Sequence, residues 1–216
     1  MKLTTNLKAI TAAAVLAIPA LAPISAQAEL GYNASVASMY LWRGTDASNG
    51  PTISGGADYS HSSGAYASTW VSSGLAGDPA TGGGYEVDVW FGYAGEVSGL
   101  SYDLSYWNID YPQVIGADSI NETSLGLGYA GASLGLVSGD GYTYTTLGYE
   151  LGDFGFTYGM NATDAVGGDT SHFDVSYAAS KELSFTVSFP SDDDAASTDL
   201  APATLFMMSY SLPISE

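Results

Sequence analysis

The sequence predicts an all-β fold, a transmembrane antiparallel β-barrel of about twelve strands, with ten the other count the spacing allows. A cleaved signal peptide is expected to precede it. Three observations lead there. Apolar and small or polar residues alternate with period two through almost the whole chain beyond residue 28. Long and short connections then succeed one another in turn. Composition agrees: 12% of residues are charged, about half the share of an ordinary soluble domain, while 46% are hydrophobic and 16 are tyrosine.

Residues 1–28 read as an address. Lys2 and Lys8 form a positive start, an Ala/Val/Leu/Ile stretch follows, and Ala26-Gln27-Ala28 is a small-residue cleavage site. Pro19 and Pro23 interrupt the apolar stretch and argue against a helical anchor. The expected mature domain, 29–216, keeps Arg43 and Lys181 as its only Lys or Arg residues and retains all 23 carboxylates. A compact soluble domain so charged would repel itself. Nucleic-acid binding, which needs cationic side chains on phosphates, is excluded. The absence of cysteine excludes disulfide frameworks and thiolate metal sites. No mature segment is apolar enough for a membrane helix, so any crossing must use strands.

Strands are expected near 31–43, 52–60, 65–73, 85–95, 100–109, 120–130, 132–138, 142–150, 153–161, 171–180, 182–190 and 203–213. In the fourth, Tyr85, Val87, Val89, Phe91 and Tyr93 share one face and Glu86, Asp88, Trp90, Gly92 and Ala94 the other. Leu183, Phe185, Val187 and Phe189 repeat the pattern against Ser184, Thr186 and Ser188. Phe206, Met208, Tyr210 and Leu212 close it. Segments of roughly ten residues, greasy on one face and small or polar on the other, suit a wall between lipid and lumen.

Connections after odd strands are long and rich in loop formers, as at 44–51, 74–84, 110–119, 162–170 and 191–202. Those after even strands are tight, as at 61–64 and at Gly131. Gly139-Asp140-Gly141 is the exception. Pro51, Pro79, Pro112, Pro190 and Pro202 fall in or beside the long connections, where no ladder donor is lost. Long loops on one rim and short turns on the other match outer-membrane barrels. A soluble β-sandwich also alternates, but it explains neither the leader nor this rhythm.

The motif Ser38-Met39-Tyr40-Leu41-Trp42-Arg43-Gly44 resembles the first-strand signature of the TorF-family porins of Gram-negative bacteria. Gly55-Gly56-Ala57-Asp58-Tyr59-Ser60-His61 and Gly64 to Trp70 are similar to that family's second and third strands. Glu86 to Glu96, Tyr102-Asp103-Leu104, Asp110-Tyr111-Pro112 and Asn121-Glu122-Thr123 continue the likeness, which covers roughly residues 30 to 131. The resemblance implies a barrel of the cell outer membrane. Its implied partners are membrane lipid and lipopolysaccharide, a small polar solute, and the periplasmic chaperones and barrel-assembly machinery met on the way.

Candidate functional residues follow from parity. With Tyr40 and Trp42 placed on the lipid face of the first strand, Arg43 points into the lumen. There it would meet Glu86, Asp88, Asp103, Glu122 and Asp174, all of which alternate away from outward apolar neighbours. These six are the candidate pore-lining set. They serve either as a transverse field that selects a solute or as a structural network in a lumen filled by side chains. The acidic excess favours cations. Asp192-Asp193-Asp194 with Asp199 reads either as carboxylates that share Ca²⁺ or Mg²⁺ with lipopolysaccharide phosphates or as a solvated acidic loop, and the glycine and spacing of a calcium loop are absent.

No enzyme, cofactor or metal site is expected. A hydrolase needs a nucleophile, a base and an orienting group together, and the chain has only His61, in a tight turn, and His172, at the opposite rim. Glycosylation-type triplets such as Asn33-Ala34-Ser35 are coincidental in this setting, and Leu125-Gly126-Leu127-Gly128 marks a strand rather than a phosphate loop. The expected function is a passive, cation-preferring channel, with loops 74–84, 110–119 and 191–202 narrowing its mouth. The rival expectation is a closed-lumen barrel with a structural or surface-contact role.

Overall fold

Alternation of this kind specifies strands whose two faces meet different media, and the computed structural model has that form. It describes residues 28–48, 50–75, 84–113, 118–164, 168–192 and 203–214. The chain forms β1 (Glu29–Ala37), β2 (Leu41–Trp42), β3 (Thr45–Asp46), β4 (Thr52–Ser60), β5 (Ala65–Leu75), β6 (Gly84–Val97) and β7 (Leu100–Asp110). It continues with β8 (Ile120–Tyr129), β9 (Ala132–Gly139), β10 (Tyr142–Leu151), β11 (Phe154–Thr163), β12 (Thr170–Ala178), β13 (Leu183–Asp192) and β14 (Leu205–Ser211). All but β2 and β3 pair with their neighbours in one closed antiparallel barrel of twelve strands, which β14 completes against β1. Closure leaves no sheet edge to be satisfied. The expected leader lies outside the described residues except for position 28.

The two faces invert the rule of a soluble domain. Phe91, pointing outward from β6, is 60% exposed, whereas Glu86 on the inward face of the same strand is 1% exposed. Outward Leu30, Ile53, Leu104, Leu147 and Phe206 are likewise exposed. An apolar surface that encircles the molecule far exceeds the patches a water-soluble monomer tolerates. Near the tight-turn rim, Tyr32, Tyr59, Tyr129, Tyr149, Tyr177 and Tyr210 all project outward. Such a girdle puts amphipathic rings where hydrocarbon gives way to water.

The first strand departs from expectation. β1 stops at Ala37 instead of running on to 43, and residues 38–48 leave the wall. Ser38 makes the break: its amide donates to the Met208 carbonyl and its hydroxyl accepts from the Met208 amide, each at 2.9 Å. Two residues later the chain forms the β2–β3 hairpin, with Trp42 opposite Thr45. Its turn is Arg43-Gly44, at φ 45° and 80°, the two positive values that a type I′ connection requires. Tyr40 and Leu41, expected in the wall with Tyr40 toward lipid, are instead 3% and 1% exposed inside the barrel.

Pro190, expected as the last residue of its strand beside a long connection, lies in β13 opposite His172, and the strand runs two residues further, to Asp192. The β13–β14 ladder ends at Ser188 opposite Leu205. Beyond that point β13 has a partner on the β12 side only, so a residue lacking an amide donor is accommodated. The short connection at Asp140-Gly141 holds as expected. The loops expected to narrow the mouth lie largely outside the described residues, as do Asp193, Asp194 and Asp199.

Candidate functional site

Alternation carries every predicted wall carboxylate into the lumen. Glu86 and Asp88 on β6, Asp103 on β7, Glu122 on β8 and Asp174 on β12 are all buried. Arg43 reaches the same space by another route, from the hairpin tip. One of its terminal nitrogens (Nη2) is 2.6 Å from Glu122 Oε1. The Tyr142 hydroxyl donates to that same oxygen at 2.5 Å. The guanidinium lies 4.7 Å from the ring centre of Trp42, 5.6 Å from Tyr142 and 4.5 Å from Tyr144. A buried cation is thus held by one carboxylate and three π faces, which together offset its loss of water.

The arginine therefore does not face five carboxylates equally, as parity suggested. Glu86 is tied instead to Tyr40, whose hydroxyl donates to Oε1 at 2.8 Å. The Tyr40 ring packs at 5.6 Å on Trp70, which points inward from β5. Burial, and then the Glu86 carboxylate, hold the Tyr40 hydroxyl well above the usual phenol range. It stays protonated and remains a donor. Tyr111, just past β7, is raised by the same two causes in the same order. Asp88 keeps one oxygen, Oδ1, buried with no hydrogen-bond partner among the described residues.

A third group forms around His172 on β12. Its Nε2 shares a 2.8 Å hydrogen bond with the Tyr144 hydroxyl, and its Nδ1 shares one of 2.9 Å with Asp174. Hydroxyl, imidazole and carboxylate in series have the order of a nucleophile, base and orienting group. Here, however, Tyr144 is buried beneath the Arg43 guanidinium. His61 stands apart in its tight turn, bonded to Ser63. Among the described residues no group of three or more His, Asp or Glu side chains is placed to hold a metal ion.

The hairpin spans the lumen. From its root between β1 and β4 it touches β5 through Trp70, β6 through Glu86, β8 through Glu122 and β10 through Tyr144. It also meets β12 at His172 and β14 at Met207, where Leu41 packs in one cluster with Met207 and Ala37. Its base is fastened by Ser48, which bridges to Leu75 and accepts the Tyr40 amide at 2.9 Å. Sequence reasoning missed Tyr40, Tyr142, Tyr144 and His172 as lumen residues. Parity with Asp174 would have found His172, and parity within β10 pairs Tyr142 with Tyr144.

Comparison with known proteins adds the following. A family model described as a bacterial protein of unknown function (Gcw_chp) matches residues 22–165. No curated protein matches the sequence. Among solved structures, the outer membrane phospholipase A from Escherichia coli is similar in fold over 86% of this chain and 91% of its own, at 12% identity and a TM-score of 0.46.

Proposed function

We infer the following role for this chain, which belongs to the Gcw_chp family of bacterial proteins of unknown function: an outer-membrane barrel that admits small polar solutes, cations in preference. The observation that carries this reading is the imbalance of charge inside the lumen. Five buried carboxylates project from the wall, and the one arginine of the mature chain pairs with only one of them. A narrow passage of that sign concentrates cations and repels anions. The outward apolar face and tyrosine girdle support residence in a bilayer. The leader-like segment 1–28 and the resemblance to TorF-family porins support the outer membrane of a Gram-negative cell. In the Tyr144–His172–Asp174 series the hydroxyl lies buried beneath the Arg43 guanidinium, an arrangement that favours transport over catalysis.

The second reading is a closed barrel with a structural or surface-contact role, and the hairpin across the lumen favours it. Planar-bilayer recording separates the two, using purified protein and a variant whose residues 39–47 are replaced by a short Gly/Ser linker. Discrete steps with a cation-selective reversal potential from the unaltered protein support the channel, whereas current from the linker variant alone makes the hairpin a plug and favours the closed barrel. Silence from both, when each is folded and inserted, overturns it in favour of the closed barrel.

A further inference from the structure

The hairpin lies against a wall that is chemically wrong for permanent burial. Thr186 and Ser188 on β13 and Ser209 on β14 point into the lumen and are almost fully buried. The hydroxyl oxygen of each has no hydrogen-bond partner among the described residues. Thr186 sits opposite Met207, and Ser209 is two residues along from it, so these hydroxyls flank the place where Leu41 packs. Asp88 Oδ1 and Arg43 Nε are buried and unpartnered too. Leaving a buried donor or acceptor unpaired sacrifices its hydration without return. A lumen sealed for good would gain by placing apolar side chains at these positions, as it does at Met207.

We propose that residues 38–48 are a displaceable gate, and that Thr186, Ser188, Ser209 and Asp88 line the path that becomes wet when it swings away. The proposal rests on the channel reading and adds its regulation. The hairpin is built for such movement. It is rooted at one place, between β1 and β4, and two of the contacts that hold it to the far wall are polar: Arg43 to Glu122 and Tyr40 to Glu86. Water can replace such contacts more readily than it can replace an apolar interface. Opening exchanges the unpaired wall hydroxyls for hydrated ones, and it exposes Glu86, Asp88 and Glu122 to a passing cation.

The absence of native cysteine allows a direct test. The double variant Leu41→Cys/Met207→Cys places two thiols in one packed cluster, and crosslinking is read from gel mobility with and without reductant. Oxidised protein should show at least about a tenfold loss of cation current that reductant restores, since a tethered hairpin cannot leave. Gly44→Ala, which disturbs the docked tip, should raise the open fraction above that of the unaltered protein. Equal currents from oxidised and reduced double variant overturn the gate while leaving the channel intact. Silence in both redox states with current from the linker variant makes the hairpin a fixed plug and also overturns the gate. Silence from the linker variant as well removes the channel itself.

Discussion

Gly44 stands so close to His172 that a β-carbon built on it would lie 2.6 Å from the histidine's own Cβ. It also holds φ at 80°, where a side chain is strained whatever the space around it. The Trp-Arg-Gly motif thereby acquires a steric meaning. Glycine lets the hairpin turn and lets its tip reach the β12 wall, which in turn puts the preceding arginine within reach of Glu122.

Gly44→Ala should therefore destabilise the folded barrel by about 1–3 kcal/mol, through backbone strain combined with contact against a buried ring. Urea unfolding from detergent micelles, followed by tryptophan emission, measures it. A variant as stable as the parent would show that the tip is not docked on His172.

Removing the charge of Arg43 should act on both stability and selectivity. Arg43→Ala leaves Glu122 buried without its counter-ion, at a cost of about 3–5 kcal/mol. It also strips the lumen of its positive group, so the reversal potential should move further toward that of cations. Glu122→Gln combined with Arg43→Met should recover part of the stability, as a double-mutant cycle would read. An unchanged reversal potential in Arg43→Ala removes the arginine from the account of selectivity.

Tyr40→Phe keeps the ring against Trp70 and deletes the donor to Glu86. The expected loss is about 1–3 kcal/mol, because the carboxylate remains buried with one partner fewer. The pH response follows from the raised hydroxyl. A group that holds its proton more tightly when folded adds stability that is complete below its unfolded value of 10.0 and declines as pH rises past it. Thermal unfolding above that pH should fall more steeply for the parent than for Tyr40→Phe. Parallel curves would contradict the buried assignment of Tyr40.

On the outer surface, Phe91→Arg should hinder insertion into lipid vesicles by about 2–4 kcal/mol if β6 crosses near the bilayer midplane. Folding into vesicles titrated with urea measures this. A variant that folds equally well in buffer without detergent would mean that water, not hydrocarbon, faces Phe91.

Most of the wall could be read in advance because the information is local. In β6, β13 and β14 each residue's neighbour two positions away shares its face, so Glu86, Asp88, Thr186 and Ser188 declared themselves inward without knowledge of any partner strand. Tight turns and long connections then ordered the strands around the barrel. That much belongs to the sequence alone.

The hairpin was decided by tertiary structure. Residues 38–43 carry the same alternation as the wall, and alternation says only that two faces differ, not which medium wets either. Tyr40, Leu41 and Trp42 suit lipid as readily as they suit Trp70, Met207 and the Arg43 guanidinium. Only closure of the barrel brings those groups together, from β5, β14 and the tip of the hairpin itself, into a space that aromatic and apolar side chains can fill. The pairing of Arg43 with Glu122, 79 positions away in the chain, likewise exists only once closure has placed β8 opposite the inturned segment.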